Sequence, residues 1–359
     1  VPYANDTGAA HLATRYSAND PYTISMVDAK DIYSLAGEHA VDLSGEAWVD
    51  KTDYAISVGG KVVGFPVCIE ARGLMYNADA IEKITGKTFN PEEYKTLDAF
   101  KGLLEELVAG GMAAPTGIMK EDWSMGAHFL AEVYEEQPDV EAFISALYAG
   151  TAGLADNAKW NAKMDAFDTL MQYNYAAASP IAAEREVSEQ KLAEGEIAFM
   201  FGGNWDWSMI KAYEYSENMG MMPLPQNTDD GSNEKLVGGG SKYMFIDSSE
   251  NTSEEQRQAA KDFLNWLVLE EEGNAFLTEK CALVPAYSNI SSEALDPLST
   301  SVKKYADAGS LIGNYDYLPD DHFSRCGASF QKYLAGQIDR GGLAAEIESY
   351  WSSTAPVEH

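Results

Sequence analysis

EIAFMFGGNWDW, residues 196–207, poses the central question of this chain. Ile197 to Phe201 has the composition of a short buried strand. The chain then breaks at Gly202-Gly203 and sets Trp205 and Trp207 on either side of Asp206. Glycine lets a backbone pass close to a ligand or to another segment, and Asn204 is suited to cap the helix expected over WDWSMIKAYEY. An indole at the mouth of a cleft offers a flat apolar face for the C–H side of a sugar ring, and a neighbouring carboxylate accepts hydrogen bonds from hydroxyls. Trp205 and Asp206 are therefore candidate binding residues. Trp207 has two readings, core filling or a weaker contact in the same site.

Outward from this stretch, strands alternate with helices. YTISMVD (22–28) predicts a strand ending in Asp28, and KDIYSLAGEH (30–39) a helix that carries Asp31. In YAISVGGKVVGFPV (54–67), Gly59-Gly60 joins two apolar runs as a two-residue hairpin. NPEEYKTLDAFKGLLEELVAGG (90–111) predicts one helix with Asn90 as cap, Pro91 at its first position, and Phe100, Leu103, Leu104 and Leu107 on its buried face. TSEEQRQAAKDFLNWLVLEEEGNAFL (252–277) predicts another, with a Thr252–Glu255 capping box and Ala259, Phe263, Trp266 and Leu267 turned inward.

Polar residues inside apolar surroundings supply the other site candidates. Glu70 and Arg72 interrupt the apolar strand in GGKVVGFPVCIEARGLMYNADAIEK (59–83); they either pair with each other or face a cleft. Trp123, in KEDWSMGAHFL, follows two acids and is a second stacking candidate. LVGGGSKYMFI (236–246) places Gly240 and Ser241 ahead of a strand, with a mobile glycine-rich loop as the plain alternative. It lacks the spacing of a phosphate-binding loop. PQNTDDGSNE (225–234) is oxygen-rich but lacks the spacing of a calcium loop, so a solvated turn is expected.

Composition limits the function classes. The chain has 359 residues, enough for two lobes. Its 57 acidic against 25 basic residues give a formal charge of −32, which repels both nucleic acid and an anionic membrane. No apolar run is long enough to span a bilayer. Cys68, Cys281 and Cys326 lack metal-ligand spacing; one disulfide with a free thiol and three free thiols are both open, and neither metal nor cofactor is expected. The opening VPYANDTGAA, without an initiator Met, predicts a processed or trimmed start.

GKVVGFPVCIEARGLMYNADAIEK, KLAEGEIAFMFGGNWDWSMIK, MGMMPLPQ, VGGGSKYMFI, AAKDFLNWLVLEEEGNAFL and LVPAYSNI follow one another along the chain. In that order they resemble the extracellular, family 1-like solute-binding proteins of carbohydrate ABC transporters, to which maltose-binding protein is distantly related. The likeness runs from about Tyr22 to Trp351. It implies an α/β, two-lobed periplasmic-binding-protein fold of type II-like build, with discontinuous lobes joined by crossing hinge strands. Lobe one would hold 1–68 and 247–300, and lobe two 69–246 and 301–359, with crossings near Cys68 to Arg72, near Phe245 to Ser248, and between Leu298 and Tyr315. The N-terminal strand and helix that family members carry ahead of this start would be missing.

The resemblance also implies roles. Glu70 falls at a cleft carboxylate, Trp205 at a stacking aromatic, and Asp28 and Asp31 after a strand that faces the cleft. His322, Phe323 and Arg325 are weaker cleft candidates, with Phe330, Tyr333 and Leu334 as helix core. Arg72 stands where many relatives have an aromatic or small residue; facing a ligand, its guanidinium would favour an acidic or N-acetylated sugar. The expected function is capture, without chemistry, of a mono- or oligosaccharide by a monomer and its delivery to a membrane permease. The site would be extracellular, lipid-anchored at the bacterial surface or periplasmic. A receptor for a cationic or peptide ligand on the same fold is the alternative, and a glycoside hydrolase a more remote one.

Overall fold

Gly59 and Gly60 have φ of +59° and +79°, the left-handed values that close a hairpin in two residues and match the twist of its strands. The computed structural model that shows this describes residues 8–117, 120–291, 293 and 295–357; the expectation about the first residues of VPYANDTGAA lies outside them. Nine strands occur among the described residues: β1 (Ile24–Asp28), β2 (Ile56–Val58), β3 (Lys61–Pro66), β4 (Ile69–Asn77), β5 (Phe199–Gly203), β6 (Met219–Met222), β7 (Leu236–Gly240), β8 (Lys242–Ile246) and β9 (Leu311–Ile312). The α/β class follows from these strands and the helices that alternate with them.

The chain divides into two compact units, Val1–Glu70 with Gly239–Ser299, and Ala71–Gly238 with Thr300–Glu358. In the first, a four-stranded sheet has the order β1-β8-β3-β2. Val27, Ile32, Ile56, Val63 and Phe245 pack its core with Leu12 from the helix Gly8–Ser17. β8 pairs antiparallel with β1 and β3, so residues 242–246, expected in the second lobe, belong to the first unit. The chain leaves the second unit within the glycines of β7, before the expected Phe245–Ser248.

The helix Glu254–Leu269 begins one residue later than its sequence cap suggests. Ser253 accepts from the Gln256 amide and Gln256 reaches back to the Ser253 amide, while the Thr252 hydroxyl donates to Asp247 at 2.6 Å. The buried face is accordingly Ala260, Leu264, Leu267 and Val268. Phe263 is exposed, and Trp266, expected in the core, is half-buried and stacked against it.

In the second unit the sheet order is β5-β4-β7-β9, with β6 also paired to β4. Asn90 caps only a short 3-10 turn, Pro91–Tyr94; the helix proper, Leu97–Ala109, starts at a Thr96 cap. Its expected face of Phe100, Leu103, Leu104 and Leu107 is buried. Phe129, Tyr134, Trp160, Phe167, Phe330 and Trp351 complete a large aromatic core. All three cysteines are free thiols, Cys68 and Cys326 buried and Cys281 exposed.

Candidate functional site

β5 lies antiparallel to β4, with Gly203 opposite Arg72 and Gly202 opposite Gly73. A Cβ at position 202 would lie 2.1 Å from Asp206 Oδ2 and 2.9 Å from Arg185 Nη2; one at 203 would lie 2.3 Å from the Trp205 ring. The two glycines therefore make room for the protein's own side chains, which fold back over the strand end. Asp206 is buried, and its Oδ2 accepts the Gly203 N–H at 3.1 Å. Arg185 Nη2 pairs with the same oxygen, and Nε reaches Oδ1 at 3.3 Å. Asp206 is thus consumed internally and is not the hydroxyl acceptor its sequence position suggests. Nor does Asn204 cap a helix; its Oδ1 accepts the Ala71 N–H at 3.0 Å and ties the turn to β4.

The aromatic candidates separate. Trp207 is buried edge-on to Tyr215, ring centroids 4.9 Å apart, and belongs to the core. Trp205 stays half-buried, 4.8 Å from the ring of His128. His128 in turn lies 5.3 Å from Trp123, over whose ring Arg185 Cζ sits at 4.9 Å. Trp123 and Trp205, 82 residues apart, thus reach one patch through His128, a residue sequence reasoning missed. His128 is placed there by a π-helical segment, Ser124–Phe129, a local form that side-chain periodicity does not announce and that recurs at functional sites.

Arg72 is also committed. Buried, it pairs with Glu135, lies 3.5 Å from Glu132 and donates from Nη1 to Asn314 Oδ1 at 2.8 Å. Lys163 extends the network to Glu132 and Glu136 at 2.5 and 2.6 Å. Burial pushes the Glu135 carboxyl up to about 7, against the pull of Arg72 and of the Tyr315 N–H that it accepts. A guanidinium so enclosed does not select an acidic or N-acetylated sugar, and that expectation is withdrawn.

In the first unit, Ser241 donates to Glu70, which is half-buried. Gly240 lies in β7, a strand and not a mobile loop, and the space its Cβ would fill is taken by the Tyr243 hydroxyl, 2.1 Å away. Asp28 is exposed and paired with Lys242, whereas Asp31 is buried in the first turn of the helix Ala29–His39. His322 is core: its Nε2 lies 3.1 Å from the Tyr134 hydroxyl, it packs on Trp351, and burial pulls it down to about 3, leaving it neutral. Arg325 is exposed on the helix His322–Leu334. Among the described residues, no group of three or more His, Cys, Asp or Glu could hold a metal ion.

Two α/β units between which the chain passes at β4 and β7 are the architecture of solute-binding proteins. Solved structures of that class share the fold. They include RafE from Streptococcus pneumoniae in its apo form (17% identity, covering 98% of this chain and 88% of that one, TM-score 0.75) and RafE in complex with raffinose (18%, 98% and 90%, TM-score 0.79). Another is a manno-oligosaccharide-specific solute-binding protein from Bifidobacterium animalis subsp. lactis in complex with mannotriose (19%, 96% and 83%, TM-score 0.65). The chain belongs to the bacterial extracellular solute-binding protein family, whose model matches residues 4–307. Among the described residues no helix is long and apolar enough to cross a membrane.

Proposed function

We propose that the protein captures an oligosaccharide, with the half-exposed Trp205 as stacking plate, and delivers it unchanged to the permease of an ABC transporter. The observation that carries this reading is Trp205 beside His128 and Trp123, an aromatic surface that the protein's own core does not absorb. Sugar rings stack on such surfaces through their C–H faces. The solved relatives with raffinose and mannotriose point to the same ligand class. Glu70 and Ser241, hydrogen-bonded to each other in the first unit, stay candidate hydroxyl-binding residues of that unit.

A cationic ligand is less well served, because Arg185 already occupies one face of Trp123. A hydrolase would need two available carboxylates, and Asp206 is held by Arg185 and the Gly203 amide. The remaining elements of the proposal are a monomer, no nucleic-acid partner in view of the charge, and an extracellular, lipid-anchored or periplasmic location. Calorimetry against raffinose, stachyose, mannotriose and chitin oligosaccharides tests it. One sugar should bind, and saturation at 100 times its dissociation constant should stabilise the fold by about 2.7 kcal/mol. Trp205→Ala should abolish that shift; an unchanged shift would remove Trp205 from the site, and silence across the panel would overturn the ligand class.

A further inference from the structure

We propose that Arg185 is a positioning residue that holds Trp123 and the Trp205 turn as one preformed surface before any ligand arrives. This rests on the reading of Trp205 as a sugar plate. Arg185 opens the helix Arg185–Ala193 and makes two kinds of contact with a single guanidinium. Its Cζ lies 4.9 Å from the centroid of the Trp123 ring, a cation–π distance. Nε and Nη2 grip both oxygens of Asp206, the residue adjoining Trp205. Asp206 is itself pinned to the end of β5 by the Gly203 N–H. His128 closes the circuit on the other side, 5.3 Å from Trp123 and 4.8 Å from Trp205. Trp123, His128, Trp205, Asp206 and Arg185 thus form a closed circuit in which Trp123 lies against the Arg185 guanidinium and Trp205 is joined through the chain to the Asp206 that Arg185 grips.

The surroundings favour orientation over simple stabilisation. Besides Asp206, Glu189 Oε1 lies 3.2 Å from Arg185 Nε and Glu121 Oε2 lies 3.8 Å from Nη1. Three carboxylates face one guanidinium, and burial with the neighbouring Asp206 pushes Glu189 up to about 7. Crowding like charges around one cation is a poor way to stabilise a strand end, but it holds the cation from several sides. The Trp123 side is fixed independently. Gly126 and Gly327 bring the π-helical segment and the helix His322–Leu334 into backbone contact, so that a Cβ at 126 would lie 2.2 Å from Phe323 O and one at 327 would lie 2.4 Å from Asp122 O.

The test reads the two indoles without ligand. In protein labelled with 5-fluorotryptophan, the fluorine resonances of Trp123 and Trp205, assigned by single Trp→Phe variants, should both move in Arg185→Met, while those of Trp48, Trp160, Trp266 and Trp351 stay in place. Arg185→Lys should restore Trp123, because a cation remains over the ring, but not Trp205. Asp206→Asn, which leaves the residue over Trp123 unchanged, should still shift Trp123 through the circuit. A Trp123 resonance that ignores Asp206→Asn, or a Trp205 resonance that ignores Arg185→Met, would overturn the assignment. If all seven lines move in Arg185→Met, the Asp206→Asn result decides. Raffinose and mannotriose titrations complete the test: for whichever sugar the wild type binds, Arg185→Met should weaken binding about tenfold through lost preorganisation. If the wild type binds neither, the stachyose and chitin-oligosaccharide titrations decide the sugar reading, while the fluorine resonances still decide the role of Arg185.

Discussion

At Gly203 the backbone conformation is ordinary, with φ −143°, so the need for glycine is one of space and not of strain. A methyl group there would enter the Trp205 ring at 2.3 Å. Gly203→Ala should therefore push the indole off the strand end. The core beneath is untouched and stability should change by less than about 1 kcal/mol, but affinity for the bound sugar should fall about tenfold as the plate loses its seat. Parallel melting curves and calorimetry check this, and equal affinity in the variant would mean that the ring position does not matter. The same stretch shows what a sequence conveys at this scale. GGNWDW announced a break, an aromatic and an acid, and those were legible. Which way each side chain turns was not, because Asp206 depends on Arg185 and Arg72 on Glu135, partners 21 and 63 residues away. A charge in an apolar strand signals that it has a partner, without telling whether that partner is a ligand or another element of the same chain.

Elements were more legible than their ends. The Gly59-Gly60 hairpin and the buried face of Leu97–Ala109 follow from local pattern, since turn chemistry and 3.6-residue periodicity are properties of a few adjacent residues. Caps moved by one residue at Ser253 and by several at Thr96, because neighbouring Ser, Thr and Asn compete for the same amides and tertiary contacts choose among them. The π-helical turn Ser124–Phe129 carried no local signal; it lies in close backbone approach to the helix His322–Leu334, and the expectation is that this approach imposes it. Gly327 is the test of that statement. A Cβ there would lie 2.4 to 2.7 Å from three backbone atoms of Asp122, which cannot swing aside as a side chain would. Gly327→Ala should cost about 1–3 kcal/mol by overpacking. It should also displace Trp123 and His128, visible as a change in near-UV circular dichroism. A variant that melts like the wild type with the same spectrum would show that the π-helical turn is set by its own residues.

At the scale of the molecule, the ordered motifs made the family legible, whereas the buried charge network could not be read from any one stretch. That network makes stability depend on pH in a direction opposite to the usual one for carboxylates. Glu135 and Glu189 are both raised to about 7, mainly by burial. Their unfolded counterparts titrate near 4.3. Between about pH 4.5 and 7 the folded protein therefore keeps protons that the unfolded chain has released, and stability falls as pH rises through this window. His322 works against them, since burial lowers it to about 3 and the unfolded chain binds a proton below about 6.5 that the fold excludes. Two carboxyls outweigh one imidazole, and above about pH 6.5 the carboxyls act alone. The acidic surplus adds in the same direction, because self-repulsion grows as carboxylates ionise. Asp230 and Asp247, held below the usual carboxylate range by their hydrogen bonds, reverse the trend only in stronger acid. The midpoint of urea unfolding, followed by tryptophan fluorescence, should thus decline from pH 5 to pH 8, and Glu135→Gln should flatten the decline by removing one of the carboxyls that burial raises, while Arg72 keeps Glu132 and Asn314. A midpoint that rises over this range, or a slope untouched by Glu135→Gln, would mean that Glu135 is ionised throughout and that Arg72 offsets the whole cost of its burial.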